Sequence, residues 1–282
     1  MEPRPRKQFA QHWLKSDKTL NQIIQAAEIT KNDQVLEIGP GTGILTRRLL
    51  PLAQSVLAVE IDRDLCQLLT KQLRQVENFL LLQGDFLTLD LSACLTSFPA
   101  FQKPNKVVAN IPYNITGPIL EKLLGRISNP AAEPYDLIVL LVQKEVAERL
   151  YAKPSSRAFG ALSVRVQYLA ECELISTVPA SAFSPPPKVD SAIVRLRPLK
   201  SLTAALDPHY LETLVKLGFA AKRKMLRNNL HSIVDRDRLT QLLEQLEVNP
   251  QARAEDLSVA QWVALSNRLD EVTGERNEPS SP

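Results

Sequence analysis

Four residues, Asn110-Ile111-Pro112-Tyr113, directly follow the apolar run Val107-Val108-Ala109 and combine an amide, a proline and an aromatic ring. That combination suits an exocyclic amine on a flat base. Such an amine is a poor nucleophile because its lone pair is delocalised into the ring, so a catalyst must hold its N–H bonds with acceptors. The Asn110 side chain supplies one, and the backbone around Pro112 supplies carbonyls left free of the donor that proline lacks. Tyr113 adds a face on which a base stacks. A strand end followed by a proline turn carries the same four letters, so the reading depends on what lies upstream.

Upstream, Gln34 to Ile38 reads as a buried strand, Gly39-Pro40-Gly41-Thr42-Gly43 as a turn, and Ile44 to Leu50 as a helix by its spacing. Glycines let backbone approach a ligand closely, and a helix start adds unpaired N–H groups. The G-x-G-x-x-G spacing of a dinucleotide site fails, because Ile44 stands where the third glycine belongs. The next run, Ser55 to Val59, ends in Glu60-Ile61-Asp62, placing a carboxylate where the ligand crevice of an open α/β sheet lies. Glu60 suits two ribose hydroxyls, whereas Asp62 reads as the N-cap of a helix over Arg63 to Arg74. Phe79 to Leu82 leads to Gly84-Asp85-Phe86, an acid able to accept from an adenine amino group beside a ring that packs on the base. Four successive strands thus deliver Gly39, Glu60, Asp85 and Asn110 to one rim, a far more specific signal than any single motif.

Together with Phe183-Ser184-Pro185-Pro186-Pro187-Lys188-Val189-Asp190-Ser191, these motifs resemble the ribosomal RNA adenine N6,N6-dimethyltransferases, specifically the bacterial small-subunit enzymes. The resemblance runs through nearly the whole chain. It includes Gln11-His12-Trp13-Leu14, Gln143 to Arg149, Gly160 to Val164, Lys222 to Leu230 and Arg253 to Ser258. It departs at His12 and Trp13, where the family usually has Asn and Phe, and at Phe159, where it usually has Tyr.

The resemblance implies S-adenosyl-L-methionine as methyl donor and dimethylation of N6 on two adjacent adenosines in the 3'-terminal hairpin of small-subunit ribosomal RNA. The substrate would be the RNA within a small-subunit particle, and the reaction would serve small-subunit maturation. It further implies cofactor contacts at His12, Leu14, Gly39, Gly41, Glu60, Ile61, Asp85, Phe86 and Asn110, and catalytic roles for Asn110, Pro112, Tyr113 and Phe183. Tyr113 and Phe183 are expected to sandwich a flipped adenine, the prolines after Phe183 limiting the entropy lost on binding. Two other readings share the motifs: a large-subunit adenine dimethyltransferase, and a non-catalytic ribosome-assembly or transcription factor on the same fold.

The elements that must position these residues alternate strand and helix, as in a parallel sheet covered on both faces. Thr116-Gly117-Pro118 opens a helix through Leu124, and Leu137 to Val142 is a further strand. Val164, Val166 and Tyr168 alternate as in a strand over Ser163 to Ala170, whereas the resemblance implies a helix there, and we follow the resemblance. Glu173 to Val178 and Ser191 to Leu196 form a late antiparallel hairpin around the proline-rich loop. From about Asp207 only helical spacings remain. The expected architecture is α/β, a Rossmann-like methyltransferase sheet, mostly parallel, with a small C-terminal all-α domain. Residues 1–200 would form the methyltransferase domain and 201–282 a helical RNA-recognition domain with a frayed tail from about 274. Lys222, Arg223, Lys224 and Arg227 are read as a helical basic block for RNA phosphates, with Arg126, Arg149, Lys153 and Arg157 as extensions.

In 282 residues, 44% hydrophobic, there is material for one large and one small core. The 34 Lys and Arg against 31 Asp and Glu leave a net charge of +3, so affinity for RNA must come from clustering. Cys66, Cys94 and Cys172 are scattered, and with His12, His209 and His231 they show no metal-ligand spacing. Arg4, Arg6 and Lys7 precede no apolar stretch long enough for a signal or membrane span. A monomer in a reducing cytoplasm, without metal or membrane, is the expectation.

Overall fold

A computed structural model describes residues 11–200 and 205–274, with the backbone alone for 271–274. Arg4, Arg6 and Lys7, the first residues after the expected boundary at 200, and the tail expected to fray beyond Gly274 lie outside the described residues.

The described chain gathers into two compact units. The first takes the chain up to Leu123 together with Glu133–Ala147 and Glu171–Pro198. It begins with β1 (Trp13–Leu14) and α1 (Asp17–Ala27), followed by β2 (Gln34–Ile38), α2 (Thr46–Leu49), β3 (Ser55–Glu60), α3 (Arg63–Leu73) and β4 (Phe79–Gln83). Then come α4 (Leu91–Leu95), β5 (Lys106–Asn110), α5 (Thr116–Leu124), β6 (Leu137–Gln143), β7 (Ala170–Val178), β8 (Phe183–Ser184) and β9 (Ser191–Pro198). The main sheet has the order β4-β3-β2-β5-β6-β9-β7, and β1 pairs with β8 in a separate ribbon.

Strands β2 to β6 pair in parallel, and β9 runs antiparallel to β6. The inner strands read as unbroken apolar runs because both faces are covered: Val107, Val108 and Ala109 of β5 and Leu137 to Val142 of β6 are all buried. On one face, Leu20 and Ile23 of α1 pack over Val35, Val56, Val108, Val139 and Ile193. The chain winds outward from β2 to β4 and then returns to the other side of β2 as β5. That reversal opens a crevice beyond the carboxyl ends of β2 and β5, where Gly39 and Asn110 stand.

The second unit takes Leu124–Ala132, Glu148–Ala170 and the described chain from Leu199 on. It carries the end of α6 (Lys144–Leu150), α7 (Ala161–Leu169), α8 (Pro208–Gly218), α9 (Leu226–Asn229), α10 (Arg236–Gln245) and α11 (Val259–Gly274). Trp262 is fully buried, and Gly218 is required beside it because a Cβ there would collide with the indole ring.

Three local readings meet a correction. The strand period over Ser163 to Ala170 belongs to the helix α7, as the resemblance implied. Val164, Val166, Tyr168 and Leu169 are all buried, so the helix is covered on more than one side and its spacing no longer marks one face. Its start is held by Ser163 Oγ, which accepts the Gly160 N–H at 3.0 Å. Lys222, Arg223 and Lys224, expected on a helix, lie instead in a turn between α8 and α9, and only Arg227 is helical. Asn229 fastens that turn, its Nδ2 donating to the carbonyls of Gly218 and Ala221. Arg223 and Arg227 therefore do not share a helix. The helix expected from Ile44 to Leu50 is likewise shorter, α2 being a single turn after a run of turns.

Candidate active site

A cleft enclosing about 1010 Å³, its open mouth included, lies at the carboxyl ends of β2, β3, β4 and β5. Among the residues lining it are His12, Leu14, Gly39, Gly41, Glu60, Ile61, Asp85, Phe86, Asn110, Pro112 and Tyr113. Of the pocket residues singled out from sequence, the structure brings together all except Phe183.

The glycine turn follows from backbone chemistry. Gly39, Gly41 and Gly43 have φ of +67°, +59° and +78°, values that other L-residues rarely adopt. A Cβ on Gly39 would meet nothing within 4 Å, so the main chain there borders open space. Glu60, 4% exposed, accepts the Gly41 N–H at 3.0 Å with Oε2 and the Asp62 N–H at 2.9 Å with Oε1. Burial raises its carboxyl above the usual range, against the pull of the Asp62, Gly41 and Ile61 amides. Asp62 caps α3 as expected, accepting the Asp64 N–H at 3.0 Å. Ile61 is 46% exposed, an apolar face beside the carboxylate.

Asp85 accepts the Leu87 N–H at 2.9 Å, closing an Asx turn that presents the acid at the end of β4. Lys122 braces the same loop: Nζ donates to the carbonyls of Leu89 at 2.8 Å and Leu87 at 3.3 Å, and lies 5.0 Å from the Phe86 ring centroid. Asn110 Nδ2 donates to the His12 carbonyl at 3.2 Å, which turns its Oδ1 to the acceptor role. The Pro112 carbonyl takes one bond, from Ile115 N at 3.3 Å, and keeps a second lone pair. The Tyr113 hydroxyl meets Ser191 Oγ at 2.5 Å, and the His12 ring stacks on Tyr113 with centroids 5.9 Å apart and planes 19° apart.

Phe183 is the correction. It is 1% exposed, pairs with Leu14 across the β1–β8 ribbon, and packs into the core with Leu20, Ile23 and Val178. Side chains alternate across a strand pair, so once Leu14 turns into the core its cross-strand partner follows. Burying a phenylalanine contributes about 1.5–3 kcal/mol, which the ring would forfeit by turning to the rim.

Sequence reasoning left out three contributors. Glu37 in β2 also lines the cleft, is 1% exposed, and accepts from Thr46 Oγ1 at 2.6 Å. Ser191 orients Tyr113, and Gln11 Nε2 donates to Asp62 Oδ2 at 3.3 Å. Gln11 belongs to a motif that carried the resemblance, but nothing in the spacing pairs Ser191 with Tyr113.

Burial, aided by the nearby Glu60, pushes the Glu37 carboxyl up to about 8 from the ordinary 4.5. The fold therefore holds this proton more readily than the unfolded chain. The group's contribution to stability is whole below pH 4.5 and is lost as pH rises through about 8. Glu37→Gln carries no such proton, so the urea midpoint of the variant minus that of the native chain should grow from about pH 5 to about pH 8. A constant difference across that window would show Glu37 ionised in the fold.

A parallel sheet with a switch-point cleft, a glycine turn and acids at consecutive strand ends defines an α/β protein of the Rossmann-like methyltransferase class. The profile of the ribosomal RNA adenine dimethylase family matches residues 3–271. The chain belongs to that family. It is 74% identical over 279 residues to the ribosomal RNA small subunit methyltransferase A of Nostoc punctiforme, covering 97% of this chain and 98% of that one. It is 63% identical over 271 residues to the protein of the same name from Rippkaea orientalis, covering 96% and 100%. Among solved structures, a dimethyladenosine transferase from Plasmodium falciparum superposes with a TM-score of 0.77 at 30% identity, over 92% of this chain and 98% of that chain. The 23S ribosomal RNA methyltransferase ErmE superposes at 0.70 and 29% identity, over 92% and 99%.

Proposed function

We propose that the chain uses S-adenosyl-L-methionine to dimethylate N6 of two adjacent adenosines in the 3'-terminal hairpin of small-subunit ribosomal RNA. The observation that carries this reading is the convergence of Gly39, Glu60, Asp85 and Asn110 with Tyr113 on one cleft. The relatives at 74% and 63% identity, named for the small subunit, favour it over the large-subunit enzyme that resembles the chain at 29%. We take the substrate to be the RNA within a small-subunit particle, and the chain to act as a monomer in the cytoplasm. No helix among the described residues is long and apolar enough to cross a membrane. Residues 1–200 serve in this reading as the methyltransferase domain and 201–282 as the RNA-recognition domain.

The cleft suits the cofactor, since Gly39 leaves room that a Cβ would fill and Glu60 keeps lone pairs for ribose hydroxyls. In this reading His12, Leu14, Gly39, Gly41, Glu60, Ile61, Asp85, Phe86 and Asn110 hold it, with Asp85 on the adenine amino group and Phe86 against the base. When bound, the cofactor supplies an electrophilic methyl on a sulfonium. Asn110 Oδ1 and the Pro112 carbonyl then accept from N6 of the target adenine, turning its lone pair out of the ring and stabilising the positive charge that develops there. Tyr113 stacks on the base, and the surplus N6 proton leaves to solvent. The protein's contribution is alignment and exclusion of water.

Labelled methyl should pass to purified small subunits that lack the modification, and nucleoside analysis should return N6,N6-dimethyladenosine. Label appearing only on naked large-subunit RNA would favour the rival substrate. Cofactor binding with no transfer to any ribosomal particle would favour a non-catalytic assembly role.

Glu60→Ala should weaken S-adenosyl-L-homocysteine binding by roughly ten- to a hundredfold, the loss of charge-assisted bonds worth about 1.5–3 kcal/mol. Affinity for RNA should barely move. Calorimetry returning the native dissociation constant would remove Glu60 from the site.

A further inference from the structure

Asp85 and Phe86 line the cleft from a short loop after β4, and that loop is tied to its surroundings by one side chain. Its internal bonds all return to Asp85: Leu87 N–H donates to the carboxylate at 2.9 Å, and the N–H groups of Thr88 and Leu89 donate to the Asp85 carbonyl at 3.1 and 2.9 Å. Among the described residues, the hydrogen bonds that reach residues 85–89 from outside come from Lys122, whose Nζ serves the carbonyls of Leu89 and Leu87. We propose that Lys122 is a positioning residue for cofactor recognition: by holding this loop to α5 it keeps the Asp85 carboxylate on the adenine amino group, and so sets the selectivity of the cleft for adenine over other purines. The proposal rests on the cofactor reading above and gives Lys122 no contact with the cofactor itself.

The helix that carries Lys122 is a firm base for such a tie. Ile119, Leu120 and Leu123 of α5 are buried, and the helix starts beside the catalytic turn, where Thr116 Oγ1 donates to the Tyr113 carbonyl at 3.2 Å. An ammonium group has three donors and no acceptor, which suits it to gather carbonyls that a loop leaves unpaired. Its charge also acts on the loop. Nζ lies 5.0 Å from the centroid of the Phe86 ring, a cation over an aromatic face. Burial lowers the Lys122 amine from its ordinary value, and the charges of Asp85 and Asp90 pull it back up, so both ends of the loop face this cation.

Selectivity follows from what a carboxylate can do. It only accepts, so it favours adenine, which presents N–H bonds at C6, and opposes hypoxanthine, which presents an oxygen there. That opposition lasts only while the carboxylate cannot turn aside. The Asx turn fixes Asp85 relative to Leu87, but it does not fix the loop relative to the cleft. Lys122 supplies the second constraint, from the helix.

Calorimetry with two ligands tests the role without any turnover: S-adenosyl-L-homocysteine, and S-inosyl-L-homocysteine, which differs in carrying a carbonyl in place of the adenine amino group. The native chain should prefer the adenosyl ligand by about a hundredfold or more. Lys122→Met removes the donors and the charge and leaves an unbranched apolar side chain beside Phe86. Lys122 is exposed, so the fold should persist, with an unchanged unfolding midpoint as the check. The variant should bind the adenosyl ligand about tenfold more weakly and the inosyl ligand within about twofold of native, so the preference shrinks by about five- to tenfold. An equal loss for both ligands would make Lys122 a general support of the loop and overturn its part in selectivity. A native preference in Lys122→Met overturns it as well. Asp85→Asn tests the reading beneath: its amide can donate to the inosyl carbonyl, so most of the native preference should vanish. If that variant keeps the native preference, Asp85 does not face the amino group, and the adenine reading and the role of Lys122 fall together.

Discussion

Asn110→Ala is expected to lower single-turnover methyl transfer by about a hundred- to a thousandfold, the usual effect of removing one preorganised polar group from a reacting centre. The amide is set for this by its own hydrogen bond: with Nδ2 committed to the His12 carbonyl at 3.2 Å, Oδ1 faces the role of acceptor. Its backbone ends β5 in register with Leu141 of β6, so the side chain projects from a rigid strand end rather than a loop. The fold should survive, because Asn110 is only partly buried and contributes nothing to the apolar core. Affinity for the small subunit should also persist. Asn110→Asp keeps an acceptor but loses the donor to His12, which sets two oxygens against each other, so it should rescue little. A variant within about threefold of the native rate would leave the amine-orienting role without support.

The second large effect belongs to RNA recognition. The rim can hold an adenine but cannot choose one adenosine among many, so selection must come from RNA shape and from protein surface beyond the pocket. Lys222, Arg223 and Lys224 are exposed in the turn after α8, and Arg227 is half-buried on α9. Lys222 Nζ donates to the Arg157 carbonyl at 2.9 Å, which brings the segment of exposed Lys153 and Arg157 beside the block within the second unit. Reversing Lys222, Arg223, Lys224 and Arg227 to Glu should weaken small-subunit binding by several orders of magnitude at low salt. The slope of log affinity against log salt should fall by about 0.7–0.9 for each phosphate that is no longer neutralised. Cofactor affinity should remain native. An unchanged salt slope would make the block a solvated turn and move the search to Arg126, Arg149 and Arg157.

The positions of Asn110, Glu60 and the glycine turn at the cleft were legible because each is a local event at a strand end. A buried parallel strand reads as an apolar run, and the residue that follows it must lie at the carboxyl rim. The cap at Asp62 and the start of α5 at Thr116 were legible for the same reason, resting on residues a few positions apart. The basic block was legible as composition but not as shape. Its turn depends on Asn229 reaching back to Gly218 and Ala221, hydrogen bonds that no periodicity records.

What the sequence by itself determined is the alternation of strands and helices and the set of residues at the rim. What only the tertiary structure decided is which aromatic faces the pocket. Phe183 lies in the two-residue strand β8 and His12 directly before the two-residue strand β1, where no period is long enough to mark an inner and an outer side. The pairing of β8 with β1 sets Phe183 opposite Leu14 and turns both to the core, while the His12 ring stays in the cleft against Tyr113. Likewise Glu37 reads as one more letter in an apolar strand until β3 is laid beside β2 and the Thr46 hydroxyl closes on it. Its proton affinity is then a property of the assembled interior, because burial and a neighbouring carboxylate exist only after the sheet has formed.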